Sequence, residues 1–329
     1  MFGAGRIGAV HARNIARMMP RAQLVGIADT DAPAAQRLQA EIGVGRADSV
    51  PGLLGDPAVA AVVIATPTPT HTDIIAQAAK AQKHIFCEKP ISLSLPESRR
   101  AVALARKAAV VLQIGFQRRF DDHYQAARDH LMEGRLGAPR FVRLVARDHT
   151  APTMAYLRTS GGQYRDQMIH EFDAARWLLA PRTIDEVFAT GSALAVPALA
   201  QLGDVDTALA ILRFNDGALC VIESTREAAY GYDVRAEILG SGGMFIADAR
   251  KLPAETVLDK QSSTATADSF IERFADAYRE EIAAFVGSLA GGPVLASGED
   301  AVEALRVALA ADRSLAEHRP VKLSEIGDE

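Results

Sequence analysis

Cysteine is scarce in this chain: Cys87 and Cys220 are the only two among 329 residues, and they lie far apart. They make neither a disulfide framework nor a metal-ligand cluster, so no metal is expected. No apolar run approaches the roughly 18 residues of a membrane-spanning helix. The opening Met1-Phe2-Gly3 lacks the basic-then-apolar order of a signal peptide. Lys and Arg cluster nowhere beyond Arg118-Arg119 and the formal net charge is −5, so neither a nucleic acid nor a membrane is an expected partner. No internal repeat or low-complexity stretch is present, and residues 259–269 are the most loop-like. These absences leave a cytoplasmic globular protein, half apolar and long enough for two domains.

What is present begins with a glycine-rich turn. Gly3-x-Gly5-x-x-Gly8 precedes a helical pattern carried by Ile7, Val10 and Ile15. The run 22–29 then reads as a strand ending in Asp29, about 20 residues beyond the last glycine, which is the βαβ unit of a dinucleotide site. Such glycines let backbone approach a pyrophosphate seated on the N–H groups of a helix N-terminus. Asp29 would accept hydrogen bonds from the adenosine ribose, and with Asp31 it would repel a 2′-phosphate. The expected cofactor is therefore NAD rather than NADP, held by Gly3, Ala4, Gly5, Arg6, Ile7, Gly8 and Asp29. Further strands at 58–67, 84–90 and 110–116 alternate with helices at 71–81 and 93–107, the pattern of a doubly wound parallel sheet. Its ligands bind at the carboxyl ends of the strands, where Thr66, Pro67, Glu88 and Lys89 fall. Only Met1 and Phe2 precede the first glycine. A central strand so short is expected to leave its neighbours unpaired, as if the chain were truncated or its start assigned too late.

After residue 116 the pattern changes. Strands are predicted at 140–148, 186–192, 206–214, 218–224, 233–240 and 243–248, with Asn215-Asp216-Gly217 a hairpin turn and residues 240–243 closing another. This meander implies a large, mostly antiparallel open sheet, covered by helices on one face and meeting solvent or another subunit on the other. Amphipathic helices at 270–289 and 300–315 finish the chain. The expected division is a Rossmann domain over 1–116 and an α+β substrate and oligomerisation domain over 117–329, with the C-terminal helix able to pack back on the first.

Residues 161–179 read as one helix in which Asp166 and His170, four apart, share a face behind Gly161 and Gly162. The pair has two readings: a buried polar pair that pins the helix, or a base with its orienting partner. A nucleotide fold in the same chain favours the second. A nicotinamide cofactor needs a group that takes the hydroxyl proton as hydride leaves carbon, and the pKa of histidine suits it to that task. Lys89 would donate to the reacting oxygen or orient a neighbouring hydroxyl; the expected reading has the hydroxyl between Lys89 and His170, and the two glycines would let the chain pass close to the nicotinamide. A zinc alcohol dehydrogenase would need Cys and His ligands, and a Tyr-x-x-x-Lys pair occurs nowhere. His11 and His71 read as packing or capping residues. His84, His123, His130 and His318 read as surface or locally bonded residues, and His149 is a weak substrate-site candidate. Tyr230 and Tyr232 read equally well as sheet packing or as ligand contacts.

The segments FGAGRIG, ATPTPTH, EKPIS, GFQRRFD, SGGQYRDQMIHEFDAARWLL and AAYGYD occur in that order, nearly end to end. Together they resemble the Gfo/Idh/MocA oxidoreductase family, named for glucose–fructose oxidoreductase, inositol dehydrogenase and rhizopine catabolism. Within it the resemblance is greatest to bacterial inositol 2-dehydrogenases. It implies a Rossmann domain with an open-sheet domain that builds dimers and tetramers. It also implies NAD-dependent oxidation of a ring hydroxyl of a polyol or sugar. Lys89 matches the Lys of its Glu-Lys-Pro motif, where an X–Pro bond can be cis, and Asp166 and His170 match its Asp-x-x-x-His helix, with His170 the base. Arg147, Asp148, Tyr156, Tyr230 and Tyr232 match segments lining the polyol pocket. Gln117 stands near the cofactor, where the inositol enzymes commonly have Asn. Other family chemistries, NAD-dependent glycoside hydrolysis and a non-catalytic sugar or cofactor sensor, are the alternatives. Retention of Lys89, Asp166 and His170 argues against the sensor.

Overall fold

A computed structural model describes residues 1–43, 45–248, 267 and 269–327. The first stretch alternates helix and strand: α1 (Arg6–Met18), β1 (Gly26–Ile27), α2 (Ala32–Ile42), β2 (Arg46–Ala47), α3 (Val50–Gly55), β3 (Ala61–Ile64), α4 (His71–Lys80), β4 (His84–Cys87), α5 (Leu95–Lys107) and β5 (Leu112–Ile114). β3, β4 and β5 pair in parallel, as do β1 and β2. The predicted strands are in place but shorter, because only their apolar centres are paired. Val62, Ile64, Ile85, Phe86, Cys87 and Ile114 are almost wholly buried, as expected where helices cover both faces of a parallel sheet. Local signals set the helix starts: Ser49 and Ser94 accept hydrogen bonds from the first turns of α3 and α5, each with Pro at an opening position.

The short amino-terminal segment corrects one expectation. Met1 and Phe2 stand in the centre of the sheet, Phe2 bridging Ala28 on one side and Ile64 on the other, both in parallel. Phe2 donates its N–H to Val63 (2.8 Å) and accepts from Ala65 (2.8 Å), while Ala28 donates to Met1 (2.9 Å) and accepts from Gly3 (2.8 Å). The neighbours are therefore paired at the rung that leads into the glycine turn. Through Phe2 the order becomes β2-β1-Phe2-β3-β4-β5, that of a dinucleotide-binding sheet.

The second stretch holds α6 (Asp122–Met132), β6 (Pro139–Arg147), α7 (Met154–Leu157), α8 (Gln163–Asp166), α9 (Ile169–Leu179), β7 (Ile184–Ser192), β8 (Thr207–Phe214), β9 (Leu219–Thr225), β10 (Asp233–Gly240) and β11 (Met244–Ala247). The last stretch supplies α10 (Phe270–Arg273), α11 (Ala275–Leu289), α12 (Gly298–Glu317) and β12 (Val321–Lys322). The sheet order is β11-β10-β6-β9-β8-β7-β12, mostly antiparallel, but β6 and β9 are parallel, so it is not a simple meander. Asn215-Asp216-Gly217 does join β8 to β9, with Gly217 at φ +89°. Along β8, Ala208, Ala210, Leu212 and Phe214 are buried while the alternate residues are partly exposed, so one face forms a core. On the other face the register partners Met244, Leu239, Phe141 and Leu219 form an exposed apolar row across four strands.

Two predicted helices are broken. Residues 270–289 divide at Phe274, which is buried, and residues 161–179 divide between α8 and α9. The predicted loop at 259–269 falls almost wholly outside the described residues. Compact units comprise Met1–Phe120 with Asp276–Val302, and Asp121–Ala275 with Glu303–Glu329. The chain thus returns to the first unit through α11, whose Ile282 and Phe285 join its core with Ile27, Val63 and Phe86. Among the described residues no helix is long and apolar enough to cross a membrane.

Candidate active site

In the first unit the three glycines of the opening turn have separate reasons. Gly3 has φ +94°, and a Cβ there would lie 2.4 Å from the Ala65 carbonyl oxygen. A Cβ on Gly8 would lie 2.1 Å from the Gly3 oxygen, so Gly8 lets α1 pack onto the turn. Among the described residues nothing lies within 4 Å of a Cβ placed on Gly5, and α1 starts there without a side-chain cap. The helix N-terminus thus presents open N–H groups where a pyrophosphate would approach. Asp29 accepts from the Ala4 N–H (2.7 Å) and the Asp31 N–H (2.8 Å), which orients its carboxylate beside the turn with acceptor capacity left for ribose hydroxyls. These residues fit NAD, which would sit across the turn with its adenosine ribose on Asp29.

The Glu88-Lys89-Pro90 motif follows β4, and its Lys89–Pro90 bond is cis. The motif is tied down on both sides. His71 places Nδ1 2.9 Å from the Pro90 oxygen and Nε2 2.8 Å from the Thr66 oxygen, linking the Thr66-Pro67 turn to the motif. Burial holds the His71 pKa below the usual histidine range, against the pull of those two carbonyls. His11 Nε2 lies 2.7 Å from Glu88 Oε1, so that carboxylate is turned onto α1. Gln117 is buried and donates to the Tyr278 hydroxyl (3.3 Å). Both histidines are buried, as packing residues would be, and they also tether the motif.

In the second unit the break between α8 and α9 replaces the expected continuous face. The Met168 N–H reaches Gln163 (3.0 Å) and the His170 N–H reaches Gln167 (3.4 Å), so the four-residue register between Asp166 and His170 is not α-helical. Asp166 is fixed by side chains: Oδ1 accepts from the Tyr156 hydroxyl (2.7 Å) and Oδ2 from Arg226 Nη1 (3.0 Å). Arg226 is 1% exposed, and sequence reasoning passed it over. Its only signal was a charge at the end of the apolar strand β9. Gly161 and Gly162 have φ +93° and +90°, and a Cβ on Gly162 would meet Asp204 at 3.0 Å. Asp204 accepts from the Gln163 N–H (2.9 Å), so the glycines make the turn that starts α8.

The remaining candidates separate. Arg147 Nη1 donates to the Tyr230 hydroxyl (2.7 Å), which donates to Asp233 (2.8 Å), while Arg147 Nη2 reaches Glu223 (2.6 Å). Burial disfavours the charges of Arg147 and Glu223, but their hydrogen bonds prevail, raising the arginine pKa and lowering that of the carboxyl. By strand alternation Arg147 lies on the face of β6 opposite Val142, Leu144 and Ala146. The Asp148 N–H donates to the Thr225 carbonyl (2.9 Å). Tyr232 is buried edge-on against Phe274, with centroids 6.4 Å apart, which is sheet packing.

A glycine turn at a helix start, an acid just after β1, and titratable side chains at strand and helix ends define a dinucleotide-dependent oxidoreductase. The family profile described as the oxidoreductase family with an NAD-binding Rossmann fold matches residues 1–116, and the GFO/IDH/MocA C-terminal domain matches residues 124–246. The chain belongs to this Gfo/Idh/MocA family of NAD-dependent dehydrogenases. It is 40% identical to the myo-inositol 2-dehydrogenase of Thermotoga maritima, over 99% of this chain and 98% of that one. It is 37% identical to the NAD(+)-dependent scyllo-inositol 2-dehydrogenase of Bacillus subtilis, over 98% and 95%. Among solved structures, the scyllo-inositol dehydrogenase of Lactobacillus casei with bound NAD(H) and scyllo-inositol superposes with a TM-score of 0.89 at 30% identity, covering 98% of both chains.

Proposed function

We propose that this protein oxidises a ring hydroxyl of an inositol, the myo or scyllo isomer, to the ketone. The observation that carries the reading is the full-length likeness to inositol dehydrogenases, in a chain that keeps Lys89, Asp166 and His170. NAD, when bound, accepts the hydride from the carbinol carbon. His170 is the base that takes the hydroxyl proton, which leaves the carbonyl behind, and Lys89, just beyond β4, is a second catalytic group, a hydrogen-bond donor. Asp166 supports the imidazole, its own position set by Tyr156 and Arg226. Tyr156, 48% exposed and bonded to Asp166, is the best placed of the proposed substrate contacts in the second unit. Arg147 and Tyr230 instead brace one another.

We assign the exposed apolar row of the open sheet to self-association as a dimer or tetramer, and the protein to the cytoplasm. Phe141→Glu would then lower the molar mass measured by light scattering, and an unchanged mass would remove that face from the interface. The activity is tested by following NADH fluorescence with NAD and a panel of inositols, hexoses and pentoses. Fastest turnover is expected with myo- or scyllo-inositol. No NADH from either isomer would overturn the assignment.

A further inference from the structure

Within the first unit, three buried ionisable side chains from distant parts of the chain converge beneath the Glu-Lys-Pro motif. His11 comes from α1, Glu88 from the end of β4 and Glu281 from α11. His11 and Glu281 are wholly buried, and the Glu88 side chain is 13% exposed. His11 Nε2 lies 2.7 Å from Glu88 and 3.9 Å from Glu281. Both carboxylate oxygens of Glu281 are buried with no hydrogen-bond partner. Burial, with the charge of Glu88 added to it, raises the Glu281 pKa well above the carboxylate range, which favours the neutral form of this carboxyl.

The surroundings confine the group from every side. The His11 ring meets Phe86 and Tyr278 edge-on, at centroid distances of 5.2 and 5.8 Å. Gln113 donates to the Glu281 backbone oxygen (2.8 Å), tying α11 to β5. A Cβ on Gly115 would lie 3.0 Å from Glu88 Oε2, so that glycine makes room for the carboxylate. Cys87 and His71 also feel the Glu88 charge. Glu88 is thus held by its side chain on His11 and by its main chain on Ile64, whose oxygen accepts from the Glu88 N–H (2.9 Å). Lys89 is the next residue.

We propose that His11 and Glu281 are positioning residues for Lys89, acting through Glu88: the cluster is a buried brace that sets where the lysine stands. The 2.7 Å contact between His11 and Glu88 is a hydrogen bond, and Glu281, 3.9 Å from the same nitrogen, closes the other side of the imidazole without bonding to it. This rests on the role given to Lys89 above. The brace explains why α11 returns to the first unit carrying an acid into its core.

The test uses Glu281→Gln, which keeps shape and neutrality, and Glu281→Ala, with Lys89→Ala as background. Glu281→Gln is expected to retain kcat within about twofold, and Glu281→Ala to lower kcat about tenfold with NAD affinity unchanged. In the Lys89→Ala background the same Ala substitution is expected to cost nothing further, because the brace acts only through that lysine. A readout independent of turnover is the pH dependence of Lys89 modification by trinitrobenzenesulfonate, followed by mass spectrometry. It should shift in Glu281→Ala and return in Glu281→Gln. A protein that makes NADH from no inositol would defeat the functional reading yet leave this measurement standing. Unchanged Lys89 reactivity in a folded Glu281→Ala protein, full multiplicative loss in the double variant, or a stoichiometric divalent metal bound at the cluster would each overturn the brace.

Discussion

The two units hold their functional groups by different means. In the first, main chain does most of it: glycine N–H groups at a helix start, carbonyls that grip His71, and strand ends in a sheet covered on both faces. In the second, side chains do it: Asp166 is fixed by Tyr156 and a buried arginine beside a broken helix, over a sheet with one open face. Main-chain anchors tolerate changes of side chain but fail when a Cβ intrudes. Side-chain anchors fail when a charge loses its partner.

The largest test of this contrast is Arg226→Met, which strands the Asp166 carboxylate. Breaking a buried pair costs about 3–5 kcal/mol, so denaturant unfolding should show a loss of that order together with reduced turnover. A loss below about 1 kcal/mol, the scale of a surface ion pair, would mean that Asp166 does not depend on the arginine.

Asp312 probes the same unit by pH. Burial pushes its carboxyl up to about 7, against the pull of Arg165 at 2.7 Å and with Asp204 adding to the rise. A folded-state pKa raised above the unfolded value means that the native state holds the proton longer. Stability from this group is then present below about pH 4 and falls as pH rises towards 7, by at most about 4 kcal/mol. The melting temperature of Asp312→Asn should lack that component, and parallel pH profiles for the two proteins would remove the group from the account.

His170→Ala should lower turnover at least about a hundredfold, the usual worth of general-base catalysis. Full activity would sink the assignment of the base.

The smallest effect isolates the backbone anchor. Gly8→Ala forces a methyl against the Gly3 oxygen and should cost about 1–3 kcal/mol of stability. Gly5→Ala meets open space and should leave the melting temperature unchanged while weakening NAD binding, as calorimetry would show. Equal effects on both would mean that Gly5 is packed rather than kept open for cofactor.

The same contrast decides what was legible beforehand. The Rossmann unit could be read because its anchors are backbone features with fixed local spacing: three glycines, an acid after the next strand, apolar runs ending in Thr66-Pro67 and Glu88-Lys89. Lys89, Asp166 and His170 were visible as chemistry-bearing residues in order. Arg226 and Glu281 were not, since each stands beside other charged residues, Glu227 and Arg279-Glu280, and nothing in that pattern says which of them turns inward. Nor was the helix break at Gln167-Met168, where apolar spacing continues although the hydrogen bonds do not.

By itself, then, the sequence determined the nucleotide turn, the strand–helix alternation and the identity of the titratable residues, because local geometry and hydrophobic period act over a few residues. Only the tertiary structure decided the rest. It let two amino-terminal residues complete a sheet, moved Arg147 and Tyr230 into a brace, and brought Glu281 beneath a motif nearly two hundred positions earlier in the chain. Those outcomes depend on which side chains can be buried together with their charges and hydrogen bonds satisfied, and that is settled by contacts between segments far apart in sequence.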